Sequence, residues 1–551
     1  MANMTGAAAM LHSILGNGVE TIFGLPGAQV DCFFDAMYHA EKQNKLRFIG
    51  SRHEQGAAYM AFGYAQSTGK IGCYVVVPGP GVLNTTAALS SAYANNAPVL
   101  CVSGQIPSPF IGLGIGQLHE IPDQIATLST ITKSATRIDR PQDAPQMVNA
   151  ACHSMQTGRP RPVAIEMAMD VMADEADVTL VPPDELPAPN IENMERLEEA
   201  ADLIAKAKRP IIVVGGGAVE AGAPLLEFAE MIGAPVISFR NGRGIISDRH
   251  YLGHNFASGY ELWKKADLVI GIGSRMQAYL QEWRMRADMK LIRINIDPEE
   301  FDRIRRPDIA ICADAACALL ALIDILPKKR TQTHNKAELK DELENLKQET
   351  RKRIETVQPQ MAYLDIIRQL LPDNGYLVTD ITQVGFVSWY GFEFYQPRHL
   401  ISCGYQGTLG FGFATALGVK IANPDAPVIA IAGDGGFLYN VPELATAAQY
   451  KIPLVTIIFN NNCFANVKRQ QREWFGGRHI FVDLHNPDFV KLVESFGVMG
   501  LRADSPAGLK KALEQALKQD GPCVIEVAVG DMASPWPFII REPIGDNGKS
   551  E

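Results

Sequence analysis

The chain has 551 residues, of which 47% are hydrophobic and 20% are charged, and its formal net charge is −10. This length exceeds what one hydrophobic core supports, so two to four domains are expected. The acidic balance disfavours a nucleic-acid-binding protein, and no apolar run reaches the ~18 residues of a membrane span. Nine scattered cysteines without a C-x-x-C pair, and a start without a basic segment before an apolar block, predict a reduced, cytoplasmic protein without a signal peptide.

The first block of the chain, residues 1–175, alternates short apolar strands with amphipathic segments. "ETIFGL", "GCYVVV", "APVLCVSG" and "RPVAIEM" are typical of buried strands. Strands that alternate with helical patterns predict a parallel α/β sheet. The acidic, proline-rich stretch "ADEADVTLVPPDELPAPN" follows and predicts a linker.

The second block, residues 190–328, repeats this alternation with "RPIIVVGGG", "APVISF", "ADLVIGIG" and "KLIRINID". Its glycine turn, from Gly215 to Ala223, follows a predicted strand. Such a turn permits either a close approach between helix and strand or a nucleotide site, and both interpretations stay open.

The third block, residues 360–540, contains "GYLVTD", "APVIAIAGDG", "IPLVTIIFNNN" and "PCVIEVAVG". It predicts a third sheet of the same kind. The expected fold class is therefore α/β, with three doubly wound parallel-sheet domains.

The third block also holds an acidic residue and two amides at the ends of successive strands. Asp434 follows "APVIAIAG", and Asn460 and Asn461 end "IPLVTIIFNN". The segment between them predicts a helix, with Asn440 as its N-cap. One crossover therefore returns the chain to the same edge of the sheet, where Asp434 and Asn461 can meet. Carboxylate and amide oxygens suit Mg²⁺, which takes its other ligands from water and phosphate.

The spacing G-D-G, 24 residues, N-N resembles the thiamine diphosphate (ThDP) binding motif of the ThDP-dependent enzymes. The resemblance implies that Mg²⁺ is held by Asp434, Asn461 and the backbone carbonyl of Cys463. It also implies that the surrounding residues contact the cofactor, with the glycines allowing close approach of the diphosphate. These residues are Gly433, Gly435, Gly436 and Phe464.

A distant segment, "RHEQGAAYMAFGYA", is similar to one in the acetolactate synthase group of these enzymes. There a glutamate protonates N1′ of the aminopyrimidine ring of ThDP, and Glu54 occupies its position. On its own, Glu54 also fits an ordinary acidic residue at a helix start, where the helix dipole stabilises it. The resemblance favours the catalytic role.

The resemblance covers nearly the whole chain, in the order PYR domain (1–175), central domain (190–328) and PP domain (360–540). "PGPGVLNTTAALSS" is similar to a family segment that has serine in place of Pro78, and "GYQGTLGFGFATALG" to the segment whose apolar residue, here Leu409, lies under the bent cofactor. The further cofactor-binding residues that the resemblance implies are Pro26, Gly27, Pro78, Asn84, Thr382, Gln383, Val384, Gly407 and Leu409.

The resemblance implies decarboxylation of a 2-oxo acid, because the thiazolium of ThDP is an electron sink. The resulting enamine then joins a second carbonyl, as in acetolactate synthase, a transferase. "GQLHEIPDQ" replaces the family's F-Q-E, so His119 and Gln117 are catalytic candidates beside Glu54, and a histidine can move protons at neutral pH. Asn466 and Gln470 replace the Met and the substrate-selecting Trp of the synthases. A non-oxidative decarboxylase and a C–C lyase or hydrolase therefore remain alternatives.

Two other classes of function remain to be distinguished. An NAD- or FAD-linked oxidoreductase could use the central glycine turn, and a non-catalytic relative could act as a regulatory partner. The FAD segment of the synthases is not matched by "SRMQAYLQEW", where only Arg275 remains, so FAD is not expected, whereas an ADP-like nucleotide is not excluded. The expected partners are 2-oxo acid and aldehyde or ketone substrates, without nucleic acid or membrane. By resemblance, Glu54 and Asp434 of different subunits form one site, which requires a homodimer and suggests a homotetramer.

Overall fold

A computed structural model describes residues 2–188, 191, 193–329 and 335–545. By contact density the chain divides into two compact units. The first contains residues 1–187, 376–382 and 401–529, and the second contains 188–375, 383–400 and 530–551. The predicted domain start at residue 190 lies outside the described residues, and the three predicted domain boundaries stay predictions.

The N-terminal part of the first unit contains a six-stranded parallel sheet in the order β3-β2-β4-β5-β7-β6. Its central strands are apolar and buried on both faces, as helices on both sides of a parallel sheet require. The strands of this part are β1 (Ala2–Thr5), β2 (Thr21–Gly24), β3 (Arg47–Gly50), β4 (Gly72–Val76), β5 (Val99–Gln105), β6 (Ala135–Ile138), β7 (Val163–Ala168) and β8 (Glu175–Val178). Its helices are α1 (Gly6–Gly16), α2 (Asp31–Lys42), α3 (Glu54–Thr68), α4 (Pro80–Asn95), α5 (Gln124–Ser129), α6 (Ala144–Gln156) and α7 (Met169–Ala173).

The second unit contains the central six-stranded parallel sheet, in the order β11-β10-β9-β12-β13-β14. Its strands are β9 (Pro210–Val214), β10 (Val236–Ser238), β11 (Gly253–His254), β12 (Leu268–Ile272), β13 (Lys290–Asn295) and β14 (Ile309–Cys312). The helices of this unit are α8 (Met194–Lys206), α9 (Gly222–Ile232), α10 (Phe256–Trp263), α11 (Ala315–Ile325), α12 (Lys336–Ile354), α13 (Gln360–Leu370) and α14 (Gln383–Gly391).

The third sheet has the order β16-β15-β17-β18-β20-β19. Its strands are β15 (Tyr376–Thr379), β16 (Leu400–Ile401), β17 (Val428–Gly433), β18 (Val455–Asn460), β19 (Met499–Ala503) and β20 (Cys523–Ala528). The helices that accompany it are α15 (Phe411–Ala422), α16 (Asp434–Phe437), α17 (Glu443–Gln449), α18 (Ala465–Trp474), α19 (Phe489–Ser495) and α20 (Pro506–Ala516). Three parallel sheets with surrounding helices confirm the predicted fold class.

The stretch predicted to be a linker, residues 173–190, is partly a strand, and its residues 189 and 190 lie outside the described residues. β8 pairs with β1 in antiparallel register, with Ala2 opposite Val178 and Thr5 opposite Glu175. The linker prediction is therefore wrong for residues 175–178, because the partner strand at the start of the chain satisfies their backbone groups.

Two helices of the first unit, α3 and α15, approach each other closely. A Cβ atom on Gly63 would collide with the carbonyl oxygen of Thr415, and one on Gly418 would collide with that of Met60. Glycine at these two positions removes the side-chain layer between the helices. The result is one apolar cluster that joins residues of the N-terminal and third sheets.

None of the helices in the described parts of the chain combines the length and the apolar character that crossing a membrane requires.

Candidate active site

The predicted strand–helix–strand crossover brings Asp434 and Asn461 to one edge of the third sheet. β17 and β18 are parallel neighbours, with Gly433 opposite Phe459. Asp434 follows the first strand and Asn461 follows the second. The connection differs from the prediction, since it consists of the single turn α16, a 3-10 turn that ends at Asn440, and the separate helix α17. Asn440 does not cap α17; its side chain donates instead to the carbonyl of Gly410 at 2.6 Å.

Asp434 is almost completely buried and is hydrogen-bonded by Asn486, which the sequence did not reveal. The side-chain amide of Asn486 donates to Asp434 Oδ2 at 2.8 Å and also contacts Oδ1 of Asn460 at 3.1 Å and Oδ1 of Asn462 at 3.2 Å. Burial raises the pKa of the Asp434 carboxyl group, while N–H donors from Gly435, Asn486 and Asn462 lower it. One amide therefore ties the two strand ends together around the carboxylate.

The loop after β18, which contains Cys463, pairs with residues 482–484 through two backbone hydrogen bonds. Asn462 has a left-handed backbone, with φ of 53°. The N–H of Leu484 donates to the Asn462 carbonyl, and the N–H of Phe464 donates to the Val482 carbonyl, both at 2.8 Å. The Cys463 carbonyl accepts the N–H of Ala465 at 2.9 Å.

The glycines of the turn after β17 lie against other predicted cofactor residues. A Cβ atom on Gly435 would lie 2.5 Å from the ring of Phe464, and one on Gly433 would lie 3.6 Å from Cγ2 of Thr382. A Cβ atom on Gly436 would lie 3.3 Å from Oδ2 of Asp380. A side chain at Gly435 would therefore collide with Phe464, and one at Gly436 would crowd Asp380.

Gln383 and Val384, which follow Thr382 in the sequence, begin α14. Val384 is fully buried. The side-chain oxygen of Gln383 is buried and has no hydrogen-bond partner among the described residues, which leaves it available as an acceptor.

A buried acid that the sequence did not single out, Asp380, holds the segment that carries Leu409. Its carboxylate accepts the N–H of Gly410 at 3.1 and 3.2 Å and the N–H of Gly412 at 3.3 Å. Gly410 has φ of 80°, and Gly407, three residues earlier, has φ of 61°. This left-handed conformation favours glycine. Burial raises the pKa of Asp380 to about 6, opposed by the backbone donors.

Two predicted cofactor residues of the N-terminal sheet, Glu54 and Asn84, contact each other. Glu54 is the first residue of α3, and its side chain is 17% exposed. The amide of Asn84, in the second turn of α4, donates to Glu54 Oε2 at 3.0 Å. His53 caps the helix by accepting the N–H of Gln55 at 3.1 Å. Asn84 therefore holds the Glu54 side chain, while His53 fixes the start of the helix that carries it.

The loops after β2 and β4 carry Pro26, Gly27 and Pro78 and lie close together. A Cβ atom on Gly27 would lie 2.5 Å from Cγ1 of Val77. Pro78 is buried, whereas Pro26 is exposed.

His119 packs against the second of these loops. A Cβ atom on Gly79 would collide with the carbonyl oxygen of His119. The ring nitrogen Nδ1 of His119 lies 3.1 Å from Oε1 of Gln29, whose amide donates to the carbonyl of Leu118 at 3.1 Å. The imidazole is therefore oriented by a buried glutamine.

Gln117 and Glu120, the neighbours of His119, have different surroundings. The Glu120 carboxylate accepts the N–H groups of Gly114, Gly116 and Gln117 at 2.7 to 2.9 Å, and the N–H of Gln117 above all holds the pKa of Glu120 below its usual value. Glu120 therefore organises the glycine-rich loop, while the side chain of Gln117 is half-buried.

The glycine turn of the central sheet serves a close approach of two backbones. A Cβ atom on Gly215 would lie 2.5 Å from the carbonyl oxygen of Gly273, and one on Gly217 would lie 2.8 Å from its Cα atom. This packing accounts for the glycines without a nucleotide, and the ADP-like ligand stays a prediction.

Gln383 and Val384 belong to the second unit, while other predicted residues form two groups within the first unit. One contains Glu54 and Asn84; the other contains Asp434, the amides after β18 and the glycine turn. The second group fits ThDP and Mg²⁺, because it combines a carboxylate, an amide and a carbonyl with backbone that approaches an anion closely. No cluster of three or more His, Cys, Asp or Glu able to hold a metal is found in the described residues, and a site of this composition requires none.

Comparison with known proteins identifies the family of the chain. Residues 4–127, 197–322 and 380–527 match, respectively, the N-terminal TPP binding domain, the central domain and the C-terminal TPP binding domain of thiamine pyrophosphate enzymes. The chain belongs to the thiamine pyrophosphate enzyme family.

Within that family the chain is similar to acetolactate synthase large subunits. It is 35% identical to the probable acetolactate synthase large subunit of Methanocaldococcus jannaschii, over 97% of this chain and 93% of that protein. It is 33% identical to the corresponding protein of Methanococcus aeolicus, over 96% and 92%. A probable 2-ketoarginine decarboxylase of Pseudomonas aeruginosa is 32% identical, over 95% and 94%.

Proposed function

We propose that the chain is a ThDP- and Mg²⁺-dependent enzyme that decarboxylates a 2-oxo acid and joins the product to a second carbonyl, as a transferase. The observation that supports this proposal is the parallel pair β17–β18: Asp434 follows the first strand, Asn461 follows the second, and Asn486 contacts both Asp434 and Asn460. The contact between Glu54 and Asn84 supports the proposed role of Glu54 toward the cofactor.

The metal would be held by the carboxylate of Asp434, the side-chain oxygen of Asn461 and the carbonyl of Cys463. The donors around Asp434 favour its ionised form and so support metal binding against the effect of burial. Asn486 orients the carboxylate, as hydrogen-bonded partners of metal ligands commonly do. The glycines at 433, 435 and 436 allow N–H groups to reach the diphosphate.

Glu54 would hold a proton at the pyrimidine ring of the cofactor, and Asn84 would keep the carboxyl group in place. When bound, ThDP supplies the nucleophilic carbon and the electron sink that decarboxylation needs. Leu409, fixed through the neighbouring Gly410, would support the cofactor rings. His119 would transfer a proton to or from the substrate, with Gln117 beside it.

A decarboxylase without an acceptor substrate is the second candidate. It is favoured by Asn466 and Gln470 on α18, which replace the apolar residues of the synthases, and by the decarboxylase among the similar proteins. The Asn466 side chain is hydrogen-bonded by Arg469, which makes this surface polar. A C–C lyase or hydrolase is a further variant of the same chemistry.

We also infer a homodimer as the working unit, with a homotetramer as the expected assembly, and a cytoplasmic location. The location rests on the nine cysteines, no two of which form a disulfide in the structure.

The test is incubation with ThDP, Mg²⁺ and a panel of 2-oxo acids, with and without aldehyde or ketone acceptors, read by mass spectrometry. Release of CO₂ with a joined product supports the carboligase. Release of CO₂ with only an aldehyde supports the decarboxylase. Absence of CO₂ from every acid in the panel contradicts both.

A further inference from the structure

The loop that leads into Glu54 is held by a fully buried carboxylate from the third sheet's crossover. Glu443, the first residue of α17, is 0% exposed. Its Oε1 atom accepts the backbone N–H of Arg52 at 3.1 Å and of His53 at 3.0 Å, and Oε2 lies 3.2 Å from the N–H of Arg52. These two residues directly precede Glu54.

Other side chains on the same face of α17 hold the same loop. The hydroxyl group of Thr446 donates to Glu443 Oε2 at 2.6 Å, and that of Tyr450 accepts the N–H of Gly50 at 2.8 Å. The side chain of Arg52 donates to Oε1 of Gln449 at 2.6 Å. Residues spaced three or four apart share a helix face. One face of α17 therefore forms hydrogen bonds along the whole segment from the end of β3 to the start of α3.

The first turn of α3 is shaped to receive this carboxylate. A Cβ atom on Gly56 would collide with Glu443 Oε1 and lie 2.5 Å from its Cδ atom. The start of a helix carries a partial positive charge that favours an anion. Burial raises the pKa of Glu443, while the Thr446 hydroxyl and the two N–H groups oppose that effect.

We propose that Glu443 is a positioning residue that fixes the first turn of α3 and thereby the carboxyl group of Glu54. An apolar residue of similar size would fill this site without burying a charge, and the carboxylate instead directs its acceptors at the two residues before Glu54. Glu443 also lies in the crossover that begins with Asp434, so one connection places both the metal-ligand turn and the Glu54 turn. The inference rests on the proposed role of Glu54.

The variants E443A and E443Q separate positioning from general stability. Glutamine can still accept both N–H groups through one oxygen, while its NH₂ group faces the Thr446 hydroxyl, which lies 3.3 Å from the carbonyl of Gly50 and can donate there instead. We expect the turnover number of E443A to fall about 30-fold, with ThDP affinity within about threefold of wild type. E443Q should restore turnover to within about threefold of wild type.

Hydrogen–deuterium exchange of the protein alone, over residues 50–58, provides a readout that does not require activity. Protection of the Arg52 and His53 amides should fall at least about tenfold in E443A and remain at the wild-type level in E443Q. The control is E300A, which removes another buried glutamate, 3% exposed and paired with Arg303. It should change neither this protection nor turnover.

The proposal is overturned if the Arg52 and His53 amides of E443A exchange as in wild type, or if E443A and E300A lose turnover equally. If E443A does not fold, Y450F is the alternative variant, because it deletes only the hydroxyl that accepts the Gly50 N–H. It should show a milder loss of exchange protection at Gly50. Unchanged protection of that amide overturns the proposal as well. If the wild type binds no ThDP, the proposed function fails, while the exchange measurement still decides whether Glu443 holds the loop.

Discussion

At the scale of single residues, three carboxyl groups differ in what surrounds them, and the surroundings decide what each can do. Asp434 is buried among N–H donors at the ends of two strands. Asp380 is equally buried, but its carboxylate oxygens accept hydrogen bonds from backbone N–H groups of the turn beside Leu409. Glu54 is partly exposed and meets one amide. We therefore expect Asp434 and Glu54, rather than Asp380, to contact a ligand.

The substitution E54Q tests the role of Glu54. Glutamine keeps the size and the contact with Asn84 but cannot hold or release the proton, so CO₂ release should fall about 100-fold or more, with little change in ThDP affinity. Steady-state kinetics with the best 2-oxo acid measure the effect. E41Q, on the exposed end of α2, is the control and should behave as wild type. Unchanged turnover in E54Q would remove Glu54 from the mechanism.

Asp380 predicts a pH dependence of stability. Its pKa is raised to about 6 in the folded protein, so between about pH 4 and 6 the folded state binds more protons than the unfolded state. Its contribution to the free energy of unfolding therefore falls as the pH rises through this window, by about 1 kcal/mol per pH unit, and is constant above it.

The thermal midpoint of wild type relative to D380N measures this dependence. The difference should shrink as the pH rises from about 4 to about 6 and then level off. A difference that grows with pH in this window would mean that the folded protein favours the ionised carboxylate instead.

At the scale of elements, the close pair α3–α15 links the segment that carries Glu54 to the third sheet. Gly63 and Gly418 permit backbone contact between the helices. Because α3 begins with Glu54, the position of the helix pair also determines where that carboxyl group lies. The contact with α15 lies at Gly63, inside α3, whereas α17 contacts the N-terminal end of α3. Both contacts therefore fix the position of this helix.

The substitution G418V should separate the two helices. Its side chain would meet the carbonyl of Met60, and overpacking of this kind costs about 1–3 kcal/mol. We expect a lower thermal midpoint by differential scanning calorimetry. G16A is the control, because no atom lies within 4 Å of a Cβ at that helix end, and its midpoint should be unchanged or slightly higher. Equal midpoints for G418V and wild type would contradict the account of this contact.

At the scale of the whole molecule, the sequence predicts the three sheets but not every pairing. Strands such as β5 and β17 are recognisable because each is a continuous apolar run that ends in a glycine or polar turn. The pair β1–β8 is not, because each strand has four residues and the two lie at opposite ends of the first block. Its pairing depends on long-range backbone hydrogen bonds that leave no local pattern.

The candidate site likewise contains residues that a local sequence pattern identifies and residues that only long-range contacts identify. Asp434 and Asn461 were predictable, because a fixed crossover sets their spacing. Asn486, Asp380 and Glu443 were missed, because each has a partner far along the chain, at 52, 30 and 391 positions respectively. No periodicity within their own segments identifies such contacts. Asn440 was misassigned because its local signal for a cap is overridden by the buried carbonyl of Gly410.

The central claim is that Asp434 and its neighbours bind ThDP through Mg²⁺, and calorimetric titration tests it most directly. ThDP added to the protein with Mg²⁺ should bind at about one site per chain, and chelation of the metal or the substitution D434A should weaken binding at least about tenfold. If the wild type takes up no ThDP in the presence of Mg²⁺, or if D434A binds it as tightly as wild type does, the claim is contradicted.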